Sequence, residues 1–393
     1  MRRAIGSSCR LLLLLHILIL LFMIPFLPLQ QINHRYEPAL SAAIQRVVDS
    51  GWYLLGKEVE RFEHDFAAYV GTSHCVGVAN GLDALTLALM AMKDYFGWET
   101  EAQVIVPNMT FVATAEAVVR AGLVPVFAEV DDSALLTVEA VDAVYTPRVR
   151  AVIPVHLYGK MAPMPALKAW ADAHQVQLLE DAAQAHGAAC EGIKAGAWGI
   201  MAAFSFYPGK NLGALGDGGA VTVSNEALAR RVRMLANYGA ERKYHHTALG
   251  MNSRLDEIQA AVLNVKLPHL DADNRRRREI AAIYASHISH PLVRLPYDGE
   301  TETSVFHIYA LRTAHREALQ AHLAEAGIQT LIHYPFALTQ QPALAPYASE
   351  AGTSESPSWA LKWAAEELSL PISPVMTDAE ALEVCEVVNS FRA

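Results

Sequence analysis

The stretch that decides the fold is CVGVANGL, at residues 75–82. Its first four residues are typical of a buried β-strand, residues 79–81 of a turn, and Leu82 opens an apolar helix that we expect to reach Met92. Strands and helices continue to alternate, with further helices predicted from about Thr114 and Met164. Further strands are predicted at residues 104–106, 124–127, 151–155, 176–180, 202–207 and 220–224. This alternation indicates an α/β fold with a mostly parallel sheet and helices on both faces.

The second half of the chain changes character after Asn225, where long helical segments such as residues 254–265 follow. From residue 266 onward, helices mix with a single strand-like segment, as expected for a smaller α+β domain. Helices are predicted at residues 275–286 and 316–326 and from about Thr377, and a strand at residues 306–311. We therefore predict a large domain over residues 24–265 and a small C-terminal domain over residues 266–393.

Composition excludes several classes of protein. The chain has 393 residues, of which 52% are hydrophobic and 18% charged, enough apolar material for a large core and too much for a disordered or fibrous protein. Its formal charge of −10 argues against nucleic-acid binding, which needs a clustered basic face. Cys9, Cys75, Cys190 and Cys385 lie far apart, so we expect reduced thiols, no structural disulfide and no metal site.

The N-terminus carries the one signal for a membrane. Arginines at positions 2, 3 and 10 precede an apolar stretch over residues 11–29, long enough for a signal peptide or an anchor. No small-residue cleavage pattern follows it, and prolines stand at its end. We favour the alternative that translation starts at Met23 and that residues 1–23 are an apolar leader outside the domain. The expected location is then cytoplasmic, with a membrane-associated form if the leader is real.

A lysine in a glycine-rich turn carries the chemistry. The stretch FSFYPGKNLG, at residues 204–213, places Lys210 just after an apolar strand, with Ser205 five residues before it. The strand predicted at residues 176–180 is followed by Asp181, at the edge where open α/β sheets bind ligands. A turn lysine and a strand-end aspartate together indicate a site for pyridoxal phosphate, although Asp181 is also suited to capping a helix that begins at Ala182.

Five ordered motifs now identify a family. They are NGLDAL at residues 80–85, PxxTFxAT at 107–114, EDAAQAHG at 180–187, the lysine turn, and GMNSRL at 250–255. This combination resembles the DegT/DnrJ/EryC1/StrS group of nucleotide-sugar aminotransferases, from residue 24 to the C-terminus. The resemblance implies the fold-type I aminotransferase architecture, pyridoxal phosphate as cofactor, and a homodimer with active sites at the subunit interface.

The resemblance also implies roles for the central residues. Lys210 would bond the cofactor and move a proton at the substrate carbon, and Asp181 would keep the ring nitrogen charged. The cofactor phosphate would lie at the helix N-terminus formed by Gly81 and Leu82, where free N–H groups attract an anion, with Ser205 donating from the opposite side. Relatives that act as dehydratases carry histidine at the lysine position, so Lys210 favours transamination.

Other matching positions complete the expected site. Phe111 would stack on the cofactor ring, and Gln184 would lie near its 3-hydroxyl group. Asn252 would reach the phosphate from the neighbouring subunit, although a loop asparagine satisfying a turn explains it equally well. The residues expected to bind substrate are Tyr207, His307, His333 and Tyr334.

The predicted reaction moves an amino group from glutamate to a nucleotide-linked keto-deoxysugar in amino-sugar biosynthesis. The segment at residues 50–59, together with residues 80–85, looks most like members that act on dTDP-linked 3-keto-6-deoxyhexoses. A 4-keto-sugar aminotransferase of the same family is the alternative within this class. A pyridoxal-phosphate-binding regulator without turnover is the alternative from another class.

Overall fold

The computed structural model describes residues 23–296, 303–350 and 358–393. The predicted leader, apart from Met23, lies outside the described residues, and so does Cys9. Across the three described ranges, every helix is too short or too polar to cross a membrane.

Seven strands form the central sheet, in the spatial order β1-β9-β8-β5-β4-β2-β3. Strand β9 pairs antiparallel with β1 and β8, and the other neighbouring pairs are parallel. The predicted mostly parallel sheet is therefore confirmed. The seven strands of this sheet are β1 His74–Val78, β2 Gln103–Pro107, β3 Val124–Ala128, β4 Val149–Val152, β5 Gln177–Asp181, β8 Met201–Ser205 and β9 Gly219–Val223. A separate short hairpin consists of β6 Ala189–Cys190 and β7 Ile193–Lys194.

Helices cover the sheet on two sides, and two buried apolar clusters share its residues between them. Val104 and Val106 of β2 belong to one cluster, whereas Ile105 belongs to the other, as the period of two in a strand requires. The helices of this part are α1 Leu29–His34, α2 Ala39–Ser50, α3 Lys57–Val70, α4 Gly81–Phe96, α5 Ala113–Arg120, α6 Val138–Ala143, α7 Met164–His174, α8 Glu226–Ala236 and α9 Glu257–Lys266.

Strand β4 differs from its predicted range of 151–155. It begins at Val149 and ends at Val152, because Pro154 has no N–H group with which to continue the ladder. The chain stays extended beyond that point, and Val155 forms an isolated parallel bridge with Asp181. This bridge holds the end of β5, and with it the side chain of Asp181, at the edge of the sheet.

The C-terminal residues build a third apolar cluster. Ile24 belongs to this cluster and pairs with Ile328, so the start of the described chain packs against its end. The division at residue 266 stays a prediction. The elements of this part are α10 Leu270–His287, β12 Tyr309–Arg312, α11 Arg316–Glu325, α12 Trp359–Glu366, β13 Glu367–Leu370 and α13 Asp378–Ser390, preceded by the small hairpin β10 Ala240–Arg242 and β11 His245–His246.

Candidate active site

The lysine turn joins β8 to β9 and is closed by backbone hydrogen bonds. Phe206 accepts from the N–H of Ala214 at 2.8 Å and donates to the carbonyl of Gly218 at 2.7 Å. The N–H of Lys210 donates to the carbonyl of Tyr207 at 2.8 Å. Desolvation lowers the pKa of Lys210 to about 8, and the nearby charge of Asp181 opposes that shift. A lysine in this state can gain and lose a proton near neutral pH.

Asp181 ends β5 on the same side of the sheet. One carboxylate oxygen accepts from the Thr114 hydroxyl at 2.8 Å and the other from the N–H of Ala183 at 3.2 Å. Burial raises the pKa of Asp181, while Thr114, the Ala183 N–H and Lys210 favour its charged form. The Thr114 hydroxyl also shares a hydrogen bond of 3.1 Å with Thr110. A cation placed against this carboxylate would shift the balance towards the charged state.

The N-terminus of α4 lies against Ser205. Asn80 caps the helix, its side-chain oxygen accepting from the N–H of Asp83 at 2.8 Å. A Cβ added to Gly81 would lie 2.7 Å from the Ser205 Cβ, and one added to Gly219 would lie 2.3 Å from the Asn80 carbonyl oxygen. Both positions therefore require glycine. The result is a cradle of helix N-terminal N–H groups and one hydroxyl, whose polarity suits an anion.

Gln184 and Phe111 both contact Tyr334, which also lies within the electrostatic field of Asp181. We call the space between these side chains and Lys210 the cleft. Gln184 accepts from the N–H of Tyr158 at 2.6 Å and donates to the Tyr334 hydroxyl at 3.1 Å. The rings of Phe111 and Tyr334 lie 5.3 Å apart between centroids. Phe111 is 51% exposed, which is unusual for a phenylalanine in a core and leaves its ring open for stacking.

Two of the predicted histidines stand beside the lysine turn. The Nδ1 atom of His307 lies 3.1 Å from the side-chain oxygen of Asn211, the residue after Lys210. The carbonyl of His333 accepts from the Tyr158 hydroxyl at 2.5 Å. Desolvation, together with the charge of Lys210, lowers the pKa of His333 to about 4 and that of His307 well below its usual value. Both rings are therefore neutral near pH 7.

The structure does not bring every predicted residue into this constellation. Tyr207 lies on the lysine turn, but its side chain is 58% exposed. Asn252 is exposed on the surface of the chain, and its backbone forms an antiparallel bridge with Asn237. The predicted roles of Tyr207 and Asn252 stay predictions.

Several residues near the site were not assigned a role from sequence. Thr114 lies within a quoted motif, four residues after Thr110, and this spacing is the signal that could have paired them. Asn211 also donates to the Asn274 side chain at 2.8 Å and to the Val305 carbonyl at 3.0 Å, thereby tying the lysine turn to the C-terminal region. Phe26 stacks on His333 at 5.8 Å between ring centroids, and no local pattern predicts a contact between residues so far apart in sequence.

Comparison with known proteins gives a consistent result. The model of the DegT/DnrJ/EryC1/StrS aminotransferase family matches residues 36–389. The chain is 46% identical to the dTDP-3-amino-3,4,6-trideoxy-alpha-D-glucose transaminase of Streptomyces venezuelae, over 94% of this chain and 96% of that protein. It is also 46% identical to the dTDP-3-amino-3,6-dideoxy-alpha-D-galactopyranose transaminase of Aneurinibacillus thermoaerophilus, over 94% of this chain and 99% of that protein.

A solved structure extends the comparison to three dimensions. The crystal structure of S. venezuelae DesV in complex with a ketimine intermediate superposes with a TM-score of 0.88 at 46% identity. The match covers 93% of this chain and 98% of that one. The fold predicted from the motifs is thus confirmed along nearly the whole length of both chains.

Proposed function

The chain belongs to the DegT/DnrJ/EryC1/StrS aminotransferase family, and we propose that it transfers an amino group from glutamate to the 3-keto carbon of a dTDP-linked deoxysugar. The observation that carries the proposal is Lys210, held by a closed turn within the electrostatic field of Asp181. The names of the two relatives support the choice of carbon, because both make sugars aminated at C3. The same two names differ in the rest of the sugar.

The residues present fit pyridoxal phosphate. The cradle at Gly81 and Ser205 suits its phosphate, the Asp181 carboxylate suits a protonated ring nitrogen, and Phe111 offers an open ring face. Lys210 supplies the amine that would bond it. When bound, pyridoxal phosphate supplies an electron sink for the carbon from which a proton is removed.

The protein's own part in the reaction is proton transfer and positioning. Lys210, with a pKa of about 8, would take a proton from the substrate carbon and return it. Asp181 would hold its charge against the ring nitrogen, kept in place by Thr114. Neutral His307 and His333 would hydrogen-bond the sugar without adding charge to the cleft.

We also infer that the protein acts as a homodimer with shared active sites. The surface of one chain exposes large apolar side chains, including Trp52 at 63%, Tyr244 at 86% and Leu249 at 93%. Such exposure is typical of a surface that another chain covers. Asn252 lies in the same stretch of sequence as Leu249 and would reach the partner's cofactor.

Light scattering tests the dimer and should give twice the chain mass. Asn252→Ala should weaken cofactor binding while leaving that mass unchanged. A monomer with full activity would disprove the dimer.

The test of the whole proposal is spectroscopic. The purified protein should show the absorbance band of lysine-bound pyridoxal phosphate, and glutamate should remove the band. A panel of dTDP- and UDP-linked 3-keto and 4-keto sugars should then restore it with one member. Restoration by a 4-keto sugar would replace the 3-keto assignment. A band that ignores glutamate and every sugar would favour the regulator.

A further inference from the structure

Glu367 and Ser369 on β13 lie behind His333, and three short hydrogen bonds link these three residues to one another. The Ser369 hydroxyl and Glu367 Oε1 are 2.5 Å apart, and His333 Nδ1 lies 2.8 Å from the same hydroxyl. The backbone N–H of His333 donates to Glu367 Oε2 at 2.5 Å. Glu367 and Ser369 are both completely buried. Within the described residues, this chain of contacts runs from a closed interior to the wall of the cleft.

The Ser369 hydroxyl, in the middle of this chain of contacts, links the protonation state of Glu367 to the tautomer of His333. Ser369 has one proton to donate, and either neighbour can accept it. If Glu367 is a carboxylate, Ser369 donates to it and accepts from His333, so the proton of the neutral imidazole is on Nδ1. If Glu367 is protonated, it donates to Ser369, Ser369 donates to Nδ1, and the imidazole proton is on Nε2. The state of Glu367 is therefore transmitted to the far nitrogen of His333.

We propose that Glu367 and Ser369 are positioning residues that decide whether His333 presents a hydrogen-bond donor or an acceptor to the sugar. The inference rests on the proposed sugar-binding role of His333. A keto oxygen accepts hydrogen bonds and has no proton to donate. A keto oxygen that binds at Nε2 therefore requires the state in which Nε2 carries the proton and Glu367 is neutral.

The surroundings of Glu367 favour that neutral state. Burial raises its pKa to about 8, while the Ser369 hydroxyl, the His333 N–H and the charge of Arg316 on α11 oppose the rise. Arg312 stands opposite Glu367 on β12 but engages Asp132 and, at 3.8 Å, Glu366. Four further titratable groups interact electrostatically with Glu367 or His333, namely Tyr158, Tyr334, His307 and Lys210.

The ring of His333 is also held from its other sides. Phe26 stacks on it at 5.8 Å, and Tyr334 meets it edge-on at 5.5 Å between centroids. With the backbone carbonyl fixed by Tyr158, the ring has little freedom to change partners. A proton shift within the chain of contacts is then the direct way to change what Nε2 offers.

The first test reads the proton position without any substrate. Nitrogen NMR of the holoenzyme labelled with ¹⁵N-histidine distinguishes Nε2–H from Nδ1–H, and the His333 signals are those absent from His333→Gln. Between pH 6 and about 9.5, the wild type should pass from Nε2–H to Nδ1–H with a midpoint near the pKa of Glu367, about 8. Glu367→Gln, whose amide donates at every pH, should keep Nε2–H throughout. A wild-type tautomer that does not change, or the same midpoint in Glu367→Gln, overturns the proposal.

Two more variants test whether the Ser369 hydroxyl passes the protonation state of Glu367 on to His333, which we call the relay, or whether the effect is only structural. Ser369→Ala removes the central hydroxyl, so the tautomer should lose its link to Glu367 and the midpoint near pH 8 should vanish. Glu383→Gln changes an exposed carboxylate on α13 and should leave the midpoint where it is in the wild type. A midpoint that survives in Ser369→Ala shows that the hydroxyl does not carry the signal.

The second test uses the two half-reactions. In the wild type, the KM for the keto sugar should rise roughly three- to tenfold as pH passes 8, the cost of about one neutral hydrogen bond, while the glutamate half-reaction shows no such step. Glu367→Gln should give a KM without this step. If the tautomer shifts but no keto sugar reacts, the proposed function fails and the relay stands. If the sugar reacts with the same pH step in wild type and Glu367→Gln, the relay fails and the proposed function stands.

Discussion

Glu180 and Asp181 are neighbours at the end of β5, yet their surroundings are opposite. Glu180 accepts from the N–H groups of Gly196, Trp198 and Gly199, each at 2.8 Å, and lies 3.0 Å from His156 Nε2. Asp181 has one hydroxyl and one N–H. Alternate side chains of a strand face opposite sides, so one carboxylate anchors a loop and the other faces the cleft. The number of hydrogen bonds that each carboxylate accepts, rather than its charge or burial, distinguishes the structural acid Glu180 from the candidate site acid Asp181.

Two buried lysines, Lys210 and Lys266, show the same kind of contrast. Desolvation lowers the pKa of both Lys210 and Lys266 to about 8. Lys266 donates to the Gly213 carbonyl at 2.6 Å, behind the turn that carries Lys210. Within the described residues, the side-chain nitrogen of Lys210 forms no hydrogen bond. The same shift in pKa therefore accompanies a structural lysine and a candidate reactive one.

The largest effect is expected from Lys210→Ala. It should abolish the absorbance band of lysine-bound pyridoxal phosphate and lower turnover on the order of 10³-fold or more, because both the bonding amine and the proton carrier are lost. Lys266→Met is the matched control. It should keep the band and lower the free energy of unfolding by about 1–3 kcal/mol, because the Gly213 carbonyl loses its donor. If Lys210→Ala retained the band, Lys210 would not be the lysine that bonds the cofactor.

Asp181→Asn should have the next largest effect. Loss of the charge that would oppose the ring nitrogen should lower kcat roughly 10²-fold, the usual scale for one preorganised electrostatic contact, with little change in stability. Glu180→Gln should do the reverse. Its amide presents N–H groups to backbone N–H groups, so we expect about 1–3 kcal/mol less stability in denaturant unfolding and near-normal kcat. Equal losses of kcat in the two variants would contradict our assignment of Asp181 to the cleft and of Glu180 to a structural role.

Thr114→Val tests how Asp181 is held. Removing a hydroxyl that donates at 2.8 Å to a buried carboxylate should raise the pKa of Asp181 and lower kcat about tenfold, measured as a rate against pH. Thr86→Val is the control, since that buried hydroxyl donates to the Leu82 carbonyl within α4 and faces no carboxylate in the described contacts. We expect Thr86→Val to leave the pH profile of kcat unaltered.

The smallest effect on turnover is expected at Glu367, which is buried like Glu180 but has fewer donors, and the change to measure there is in stability. Its pKa in the folded protein, about 8, is above the ordinary value of 4.5. The stability it contributes is therefore complete below pH 4.5 and is lost as pH rises through 8. The unfolding free energy of the wild type should fall relative to Glu367→Gln between pH 6 and 9. Parallel curves for the two proteins would show that the carboxyl titrates as it does in the unfolded chain.

Most of the fold was predictable, because its signals are local. The apolar strands and glycine turns marked the sheet to within a few residues, and the final helix was predicted from Thr377, the residue that caps it. The predicted range of β4 was displaced, because apolar character alone does not reveal that the ladder of backbone hydrogen bonds ends before Pro154. Ile24 is a similar case, since its partner Ile328 lies far away in sequence, in the C-terminal part of the chain.

The candidate site divides in the same way. Lys210, Asp181 and Gly81 were singled out from sequence, because a turn lysine, a strand-end acid and a glycine turn are each encoded within a few residues. Which of Glu180 and Asp181 is saturated depends on N–H groups 15 or more residues away, in a loop whose path only packing sets. The stacking of Phe26 on His333, and the contacts of His333 with Ser369 and Glu367, exist because the folded core brings together residues that are at least 34 positions apart in sequence. No short-range pattern encodes such contacts, so the partners of each functional group were decided by the tertiary structure.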